Sequence, residues 1–135
     1  MTYTPLQESY GFRDPYRVLV ISMMLNLTNR NQVRKVLDAG FFARWPTPSD
    51  LGRADPGDVA GFITSLGLSN QRANRMVQLG RAMTGTGYPL TASDVPTLPG
   101  CGVYAQEAYR IFVDDDISFD PSDVVLSEYL KRIKG

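Results

Sequence analysis

Histidine is absent from the 135 residues, and cysteine occurs once, at Cys101. Within this chain that excludes an intramolecular disulfide, a zinc finger, an iron-sulfur cluster held by four thiolates and any His-based triad. Catalysis, if present, must use carboxylates, hydroxyls, amines or backbone dipoles, and neither metal nor cofactor is expected. No apolar run approaches the roughly 18 residues needed to cross a membrane. The longest, "VLVISMML" from Val18 to Leu25, is soon followed by Asn26, Asn29 and Arg30. Residues 1–15 are polar and lack the apolar core of a secretory signal. An intracellular location is therefore expected, in the cytoplasm or at the nucleoid, or in the nucleus of a eukaryote. Excess charge of either sign is missing too, with 14 basic and 14 acidic residues. Placement is uneven, however: residues 1–113 hold 11 of the basic residues against 8 of the acidic ones. Nearly all of those cations are Arg, suited to bidentate phosphate contact, although a solvated mixed-charge surface explains the same charges.

Strand-like alternation of useful length is lacking, as are repeats at a period of 20 to 50 residues and low-complexity linkers. Helix signals are plentiful instead. In "DPYRVLVISMMLNLTNR", Asp14 is an N-cap followed by Pro15 at the first helical position. The apolar residues behind it are too dense for a surface helix, so residues 15–28 are predicted as the central buried helix. Val33, Val36 and Leu37 share one face of a second helix over about 30–39, with Gly40 as its stop. "TPSDLGRA" and "DPGDVAGFITSLG" each supply a cap, a proline and a short periodic run, giving two short helices. "QRANRMVQLGRAMTGTG" is an amphipathic helix with Ala73, Met76, Val77, Gly80 and Met83 on one side and arginines on the other. A loop, "YPLTASDVPT", precedes "LPGCGVYAQEAYRIF", whose helix runs to about Val113, and a last helix begins near Pro121. The fold class is all-α, a bundle of short helices in one domain spanning residues 1–135.

"LPGCGVY" carries the most chemistry. Pro99 stiffens entry into a turn, Gly100 and Gly102 permit positive φ and close approach of another backbone, and Val103 opens a helix whose first amides lack intrahelical partners. Such a turn can hold a phosphate oxygen. An isolated Gly-x-Gly serves equally to let two helices pack closely.

The wider context is a helix, the "LPG.G" turn, a helix, and an aspartate some 20 residues on. It resembles the helix-hairpin-helix DNA glycosylase superfamily, which includes endonuclease III and the adenine-mismatch glycosylases. The likeness is strongest to the branch of methyl-CpG-binding thymine/uracil mismatch glycosylases. "DPYRVLVISMMLNLT", "LGLSNQRANRMVQL" and "YRIFVDDDISFDPSD" each resemble segments of that branch, so the likeness runs from about Leu6 to Lys131.

That resemblance implies a monofunctional, monomeric glycosylase of base excision repair. It would flip uracil or thymine, paired with G, out of double-stranded DNA and hydrolyse its N-glycosidic bond. Asp123 falls on the catalytic carboxylate, where it would stabilise positive charge on the sugar; by itself it reads as a helix N-terminal acid, and Asp120 competes for the role. Tyr104 stands where strand-cutting relatives carry a nucleophilic lysine, and it lines the base pocket or else is a core tyrosine. Gln7 resembles the glutamine that reads the base edge, given a one-residue shift in alignment. Leu68 matches the wedge that enters the duplex. Leu27 takes a place where relatives have Arg or Gln, and is otherwise core. Arg72 and Arg75 are candidate DNA contacts, joined by Arg81 if the domain is a non-catalytic DNA-binding module, and Gly100 and Gly102 would grip one phosphate. Val125 replaces a polar residue beside the carboxylate, and the iron-sulfur cysteines of endonuclease III are missing. The competing readings are a non-catalytic DNA-binding module, a glycosylase-like enzyme of viral thymine hypermodification, and a protein-interaction bundle.

Overall fold

Residues 4–26, 28–85 and 91–135 are described in a computed structural model of the chain. Among them lie nine α-helices: α1 (Leu6–Gly11), α2 (Pro15–Leu25), α3 (Arg30–Asp38), α4 (Phe41–Arg44), α5 (Pro48–Gly52), α6 (Pro56–Phe62), α7 (Ser69–Gly85), α8 (Val103–Phe112) and α9 (Val124–Lys134). Two 3₁₀ turns, Thr64–Leu66 and Ala92–Thr97, lead into α7 and into the hairpin. No strand occurs among the described residues, in agreement with the all-α expectation.

Side-chain caps set most helix starts. Asp14 accepts from the Arg17 amide, Asn29 from Gln32, Thr47 from Asp50 and Asp55 from Gly57. Three of these helices carry proline at their first turn, where its missing N–H costs nothing. α2 is the hub, as its composition predicts: Val18, Leu19, Val20 and Ile21 are wholly buried. Each such side chain contributes about 1.5–3 kcal/mol, so α2 is buried on every side rather than along one stripe. α1, α3, α7 and α8 pack on it. A smaller cluster of Val18, Ala108, Ile111, Phe112, Leu126, Tyr129 and Leu130 docks α9 onto α2 and α8.

The structure departs from the expected boundaries in identifiable ways. α2 stops at Leu25 because Asn26 turns extended and its amide reaches back to the Met23 carbonyl. Leu27 lies outside the described residues. α9 starts at Val124, three residues later than expected, since Asp123 itself is the cap. Part of the expected loop "YPLTASDVPT" is a 3₁₀ turn, closed by a capping box between Thr91 and Asp94 and kept from the α form by Pro96. Helices α1 and α4 were not expected at all.

α7 crosses α5 at a glycine contact. A Cβ added to Gly80 would meet the Gly52 nitrogen at 2.6 Å and the Pro48 carbonyl oxygen at 2.7 Å, both backbone atoms that cannot swing away. In an unobstructed helix Gly→Ala stabilises by about 1 kcal/mol. Here the sign should reverse: Gly80→Ala is expected to destabilise by about 1–3 kcal/mol, read as a lower urea midpoint at unchanged slope. A raised midpoint would contradict the close crossing.

Candidate active site

Five segments converge on one cleft of about 520 Å³, lined by Pro5, Leu6, Gln7, Leu25, Asn26, Arg30, Tyr104, Ser122, Asp123 and Val125. α1 brings Gln7, the end of α2 brings Leu25 and Asn26, the start of α3 brings Arg30, α8 brings Tyr104 from its first turn, and the start of α9 brings Asp123 and Val125. Three residues predicted from the sequence, Gln7, Tyr104 and Asp123, are thus brought together, although they are far apart in the chain.

The polar groups are wired in a fixed sense. Ser22 Oγ donates to the Val18 carbonyl at 2.7 Å, so it can only accept from Gln7 Nε2, 3.2 Å away. The other Nε2 hydrogen goes to the Tyr104 hydroxyl oxygen at 2.8 Å. Gln7 is only 1% exposed, so an amide left unbonded would be costly. This arrangement leaves the Gln7 amide oxygen and the Tyr104 hydroxyl hydrogen unused within the described residues. Burial, more than the nearby Asp123 charge, pushes the Tyr104 phenol up to about 12, while the Gln7 hydrogen bond pulls the other way. Tyr104 is therefore a neutral donor throughout the physiological range.

Asp123 Oδ2 accepts from the Leu126 amide at 3.0 Å as the α9 cap. Its other oxygen, Oδ1, makes no hydrogen bond within the described residues. Capping and lining the cleft are thus one position's two roles. Asp120, the competing carboxylate, is exposed and does not line the cleft.

Beside the cleft lies a crevice of about 50 Å³ bounded by Met23, Asn26, Leu68, Gln71, Arg72, Arg75 and Gly100. Asn26 belongs to both. Leu68 is 63% exposed and holds φ +47°, an unusual state for a leucine, directly after Gly67 at φ +77°. Arg72 Nε donates to the Gly67 carbonyl at 3.0 Å, so that guanidinium clamps the Leu68 turn rather than standing free for an anion. Arg75 is exposed on the same side. Arg81 is exposed as well, but its Nε donates to the Gly52 carbonyl at the α5 crossing, so it is held toward α5 rather than beside Leu68.

In the hairpin only Gly100 uses the left-handed region, at φ +73°; Gly102 sits at φ −127°, which corrects the expectation of positive φ at both. A Cβ at Gly100 would press on Met23 Cε at 2.8 Å, whereas one at Gly102 would point into open space. Among the described residues no side chain caps the N-terminus of α8, and such uncapped amides suit an anion.

No protein-family model matches the chain. It is 33% identical over 95 residues to the thymine/uracil-DNA glycosylase of Methanothermobacter thermautotrophicus, covering 68% of this chain and 42% of that protein. The methyl-CpG-binding domain protein 4-like protein of Arabidopsis thaliana is 30% identical over 125 residues, 92% of this chain and 27% of that one. A solved thermostable thymine-DNA glycosylase superposes with a TM-score of 0.72 at 29% identity, covering 79% of this chain and 50% of that chain. The chain belongs to the helix-hairpin-helix DNA glycosylase superfamily. It spans less than half the length of these curated relatives.

Within that superfamily frame, sequence reasoning missed Leu25, Asn26, Arg30 and Ser122 in the cleft. The first three follow from where α2 ends and α3 begins, a boundary set by local hydrogen bonding rather than by hydrophobic pattern, and Ser122 is held by Glu107 just before α9. Among the described residues no group of three or more Cys, Asp or Glu converges as a metal site requires.

The raised Tyr104 phenol is linked to stability. An unfolded tyrosine ionises near pH 10, so the folded state retains its proton longer. The associated stabilisation is complete below pH about 10 and is lost as pH rises toward about 12, at up to about 1.4 kcal/mol per pH unit. Tyr16 and Tyr129 shift in the same direction, again chiefly through burial. Urea midpoints should therefore fall above pH about 10, and less steeply in Tyr104→Phe. An equally steep fall in that variant would mean the phenol is not buried as described.

Proposed function

We propose that residues 1–135 form a glycosylase domain that flips uracil or thymine out of double-stranded DNA, from opposite G, and hydrolyses its N-glycosidic bond without cutting the strand. The observation that carries this is the joint presence in one cleft of an unused carboxylate oxygen (Asp123 Oδ1), an unused hydroxyl hydrogen (Tyr104) and an unused amide oxygen (Gln7).

The base edge fits the polar pair. Uracil and thymine present an N3–H donor between two carbonyl oxygens, so the Gln7 amide oxygen accepts from N3–H while Tyr104 donates to a carbonyl. Cytosine, with an acceptor at N3, leaves the Gln7 oxygen facing a lone pair. Pro5, Leu6, Leu25 and Val125 supply apolar walls for the ring and its 5-substituent. As the C1′–N1 bond lengthens, positive charge grows on the sugar and Asp123 stabilises it and orients the attacking water. The electron pair leaves with the base, and water contributes hydroxide to C1′ and a proton to the products. This step asks for no metal or cofactor. Strand cleavage by these enzymes needs an amine nucleophile, and among the described residues no lysine lines the cleft.

Outside the cleft, Leu68 is the wedge that fills the vacated stack, which costs a few kcal/mol to open. The α8 amides and Gly102 take a phosphate, with Arg75 beside them. Arg72 acts indirectly by holding the Leu68 turn. The protein acts as a monomer on duplex DNA.

The test is incubation with duplexes carrying U or T opposite G, followed by hot alkali. Wild type should cut at the mismatch only after alkali, and Asp123→Asn should lose about 100-fold or more in excision rate. A fully active Asp123→Asn would overturn the assignment, and cutting without alkali would overturn the hydrolytic half of it. Lesion-independent binding that is indifferent to Asp123→Asn and falls steeply with salt would favour the binding-module reading instead.

A further inference from the structure

The structure assigns Glu107 as the positioning residue that holds Asp123 at the cleft. The assignment rests on the proposed glycosylase reading. Glu107 lies on α8, one turn beyond Tyr104, and is only 9% exposed. Its carboxylate accepts from the Ser122 amide at 3.0 Å (Oε2) and 3.3 Å (Oε1), and Oε1 accepts from the Ser122 hydroxyl at 2.9 Å. Ser122 is the residue immediately before Asp123. Among the described residues no ion pair within 4.0 Å compensates the Glu107 charge; Ser122 supplies the donors. A buried carboxylate is expensive unless its lone pairs are met, and here they are met by the one residue whose backbone sets where Asp123 begins.

The same helix face holds the connecting segment at a second point. Arg110, one turn further on, donates from Nε and a terminal nitrogen to Asp116 Oδ2 at 3.0 and 2.8 Å, and its guanidinium stacks 3.7 Å from the Phe119 ring centroid. Tyr104, Glu107 and Arg110 recur every three residues, so one stripe of α8 carries the base-edge donor, the anchor of the carboxylate and the anchor of the loop leading to it. Glu107 does not line the cleft. Its influence on chemistry therefore passes through Asp123, whose free oxygen must sit within a fraction of an ångström of its working position relative to the sugar.

The test measures single-turnover excision of uracil from a U·G duplex, binding to a duplex with an uncleavable abasic analogue, and thermal unfolding, all with the full chain. Glu107→Gln keeps the side-chain volume and should slow excision by about 10- to 100-fold, the effect of misplacing a reacting group, while analogue affinity changes less than about 3-fold because the hairpin and Leu68 are untouched. Ser122→Ala changes an exposed side chain and should fold normally; it should slow excision by about 3- to 10-fold. Combined with Glu107→Gln it should add little, because both remove one linkage. If Glu107→Gln unfolds, the Ser122→Ala rate decides. Wild-type rates in both variants, where Asp123→Asn is inactive, would overturn the positioning role. A fully active Asp123→Asn would instead overturn the glycosylase reading on which it rests.

Discussion

Gly100 turns through φ +73° with its α-carbon against the Met23 side chain, and a Cβ there would come within 2.8 Å of the Met23 methyl. That contact seats the hairpin on the central helix, and packing on α2 and on the Ala92–Thr97 turn sets the direction in which α8 runs. α8 then packs along α2 while its N-terminus stays uncapped toward solvent. Every chemical group in the cleft hangs from this placement. Tyr104 meets Gln7 because α1 and α8 pack on the same hub, and Ser122 is reached by Glu107 from the next turn. If the hairpin opened at a different angle, the phenol, the carboxylate and the amides would no longer share one side of the molecule.

The second constraint is the treatment of buried polar groups. Among the described residues, Gln7, Ser22 and Glu107 are the buried polar or charged side chains, and all three belong to the network around the cleft. Ser22 closes its hydrogen on its own helix, which forces the orientation of Gln7, which in turn leaves Tyr104 free to donate outward. The direction of each bond follows from the one before it. A rigid acceptor and donor are thus set in place before any ligand arrives, a form of preorganisation that lowers the cost of binding and of charge development.

Much of this was legible in the sequence, for reasons that can be named. The caps Asp14, Asn29, Thr47 and Asp55 stand beside prolines or periodic apolar runs, so the helices they open could be placed. The unbroken apolar stretch of α2 announced its burial. The hairpin was readable through family likeness, which also supplied the role proposed for Asp123, a residue that cap chemistry alone would have assigned to structure. α1 was missed because it is short and buries a glutamine, and a polar residue on a core face reads as a loop. The start of α9 was placed too early because Pro121 imitates a first-turn proline, whereas the Asp123 side chain does the capping. Arg72 and Glu107 were misjudged or overlooked for one shared reason. A charged side chain on an amphipathic helix looks solvated until the carbonyl or amide it reaches, many residues away, is known.

The central claim is geometric: one face of the molecule offers a phosphate grip, a wedge and a cleft with a free carboxylate oxygen, all pre-set. It is tested most directly by a crystal structure of the chain on a duplex carrying an uncleavable 2′-fluorinated deoxyuridine opposite G. The account predicts the uracil in the cleft between Gln7 and Tyr104, C1′ facing Asp123 Oδ1, Leu68 in the vacated stack and a backbone phosphate on the α8 amides beside Gly102. A duplex bound on another face, or an unflipped uracil with Asp123 turned away from the sugar, would contradict it.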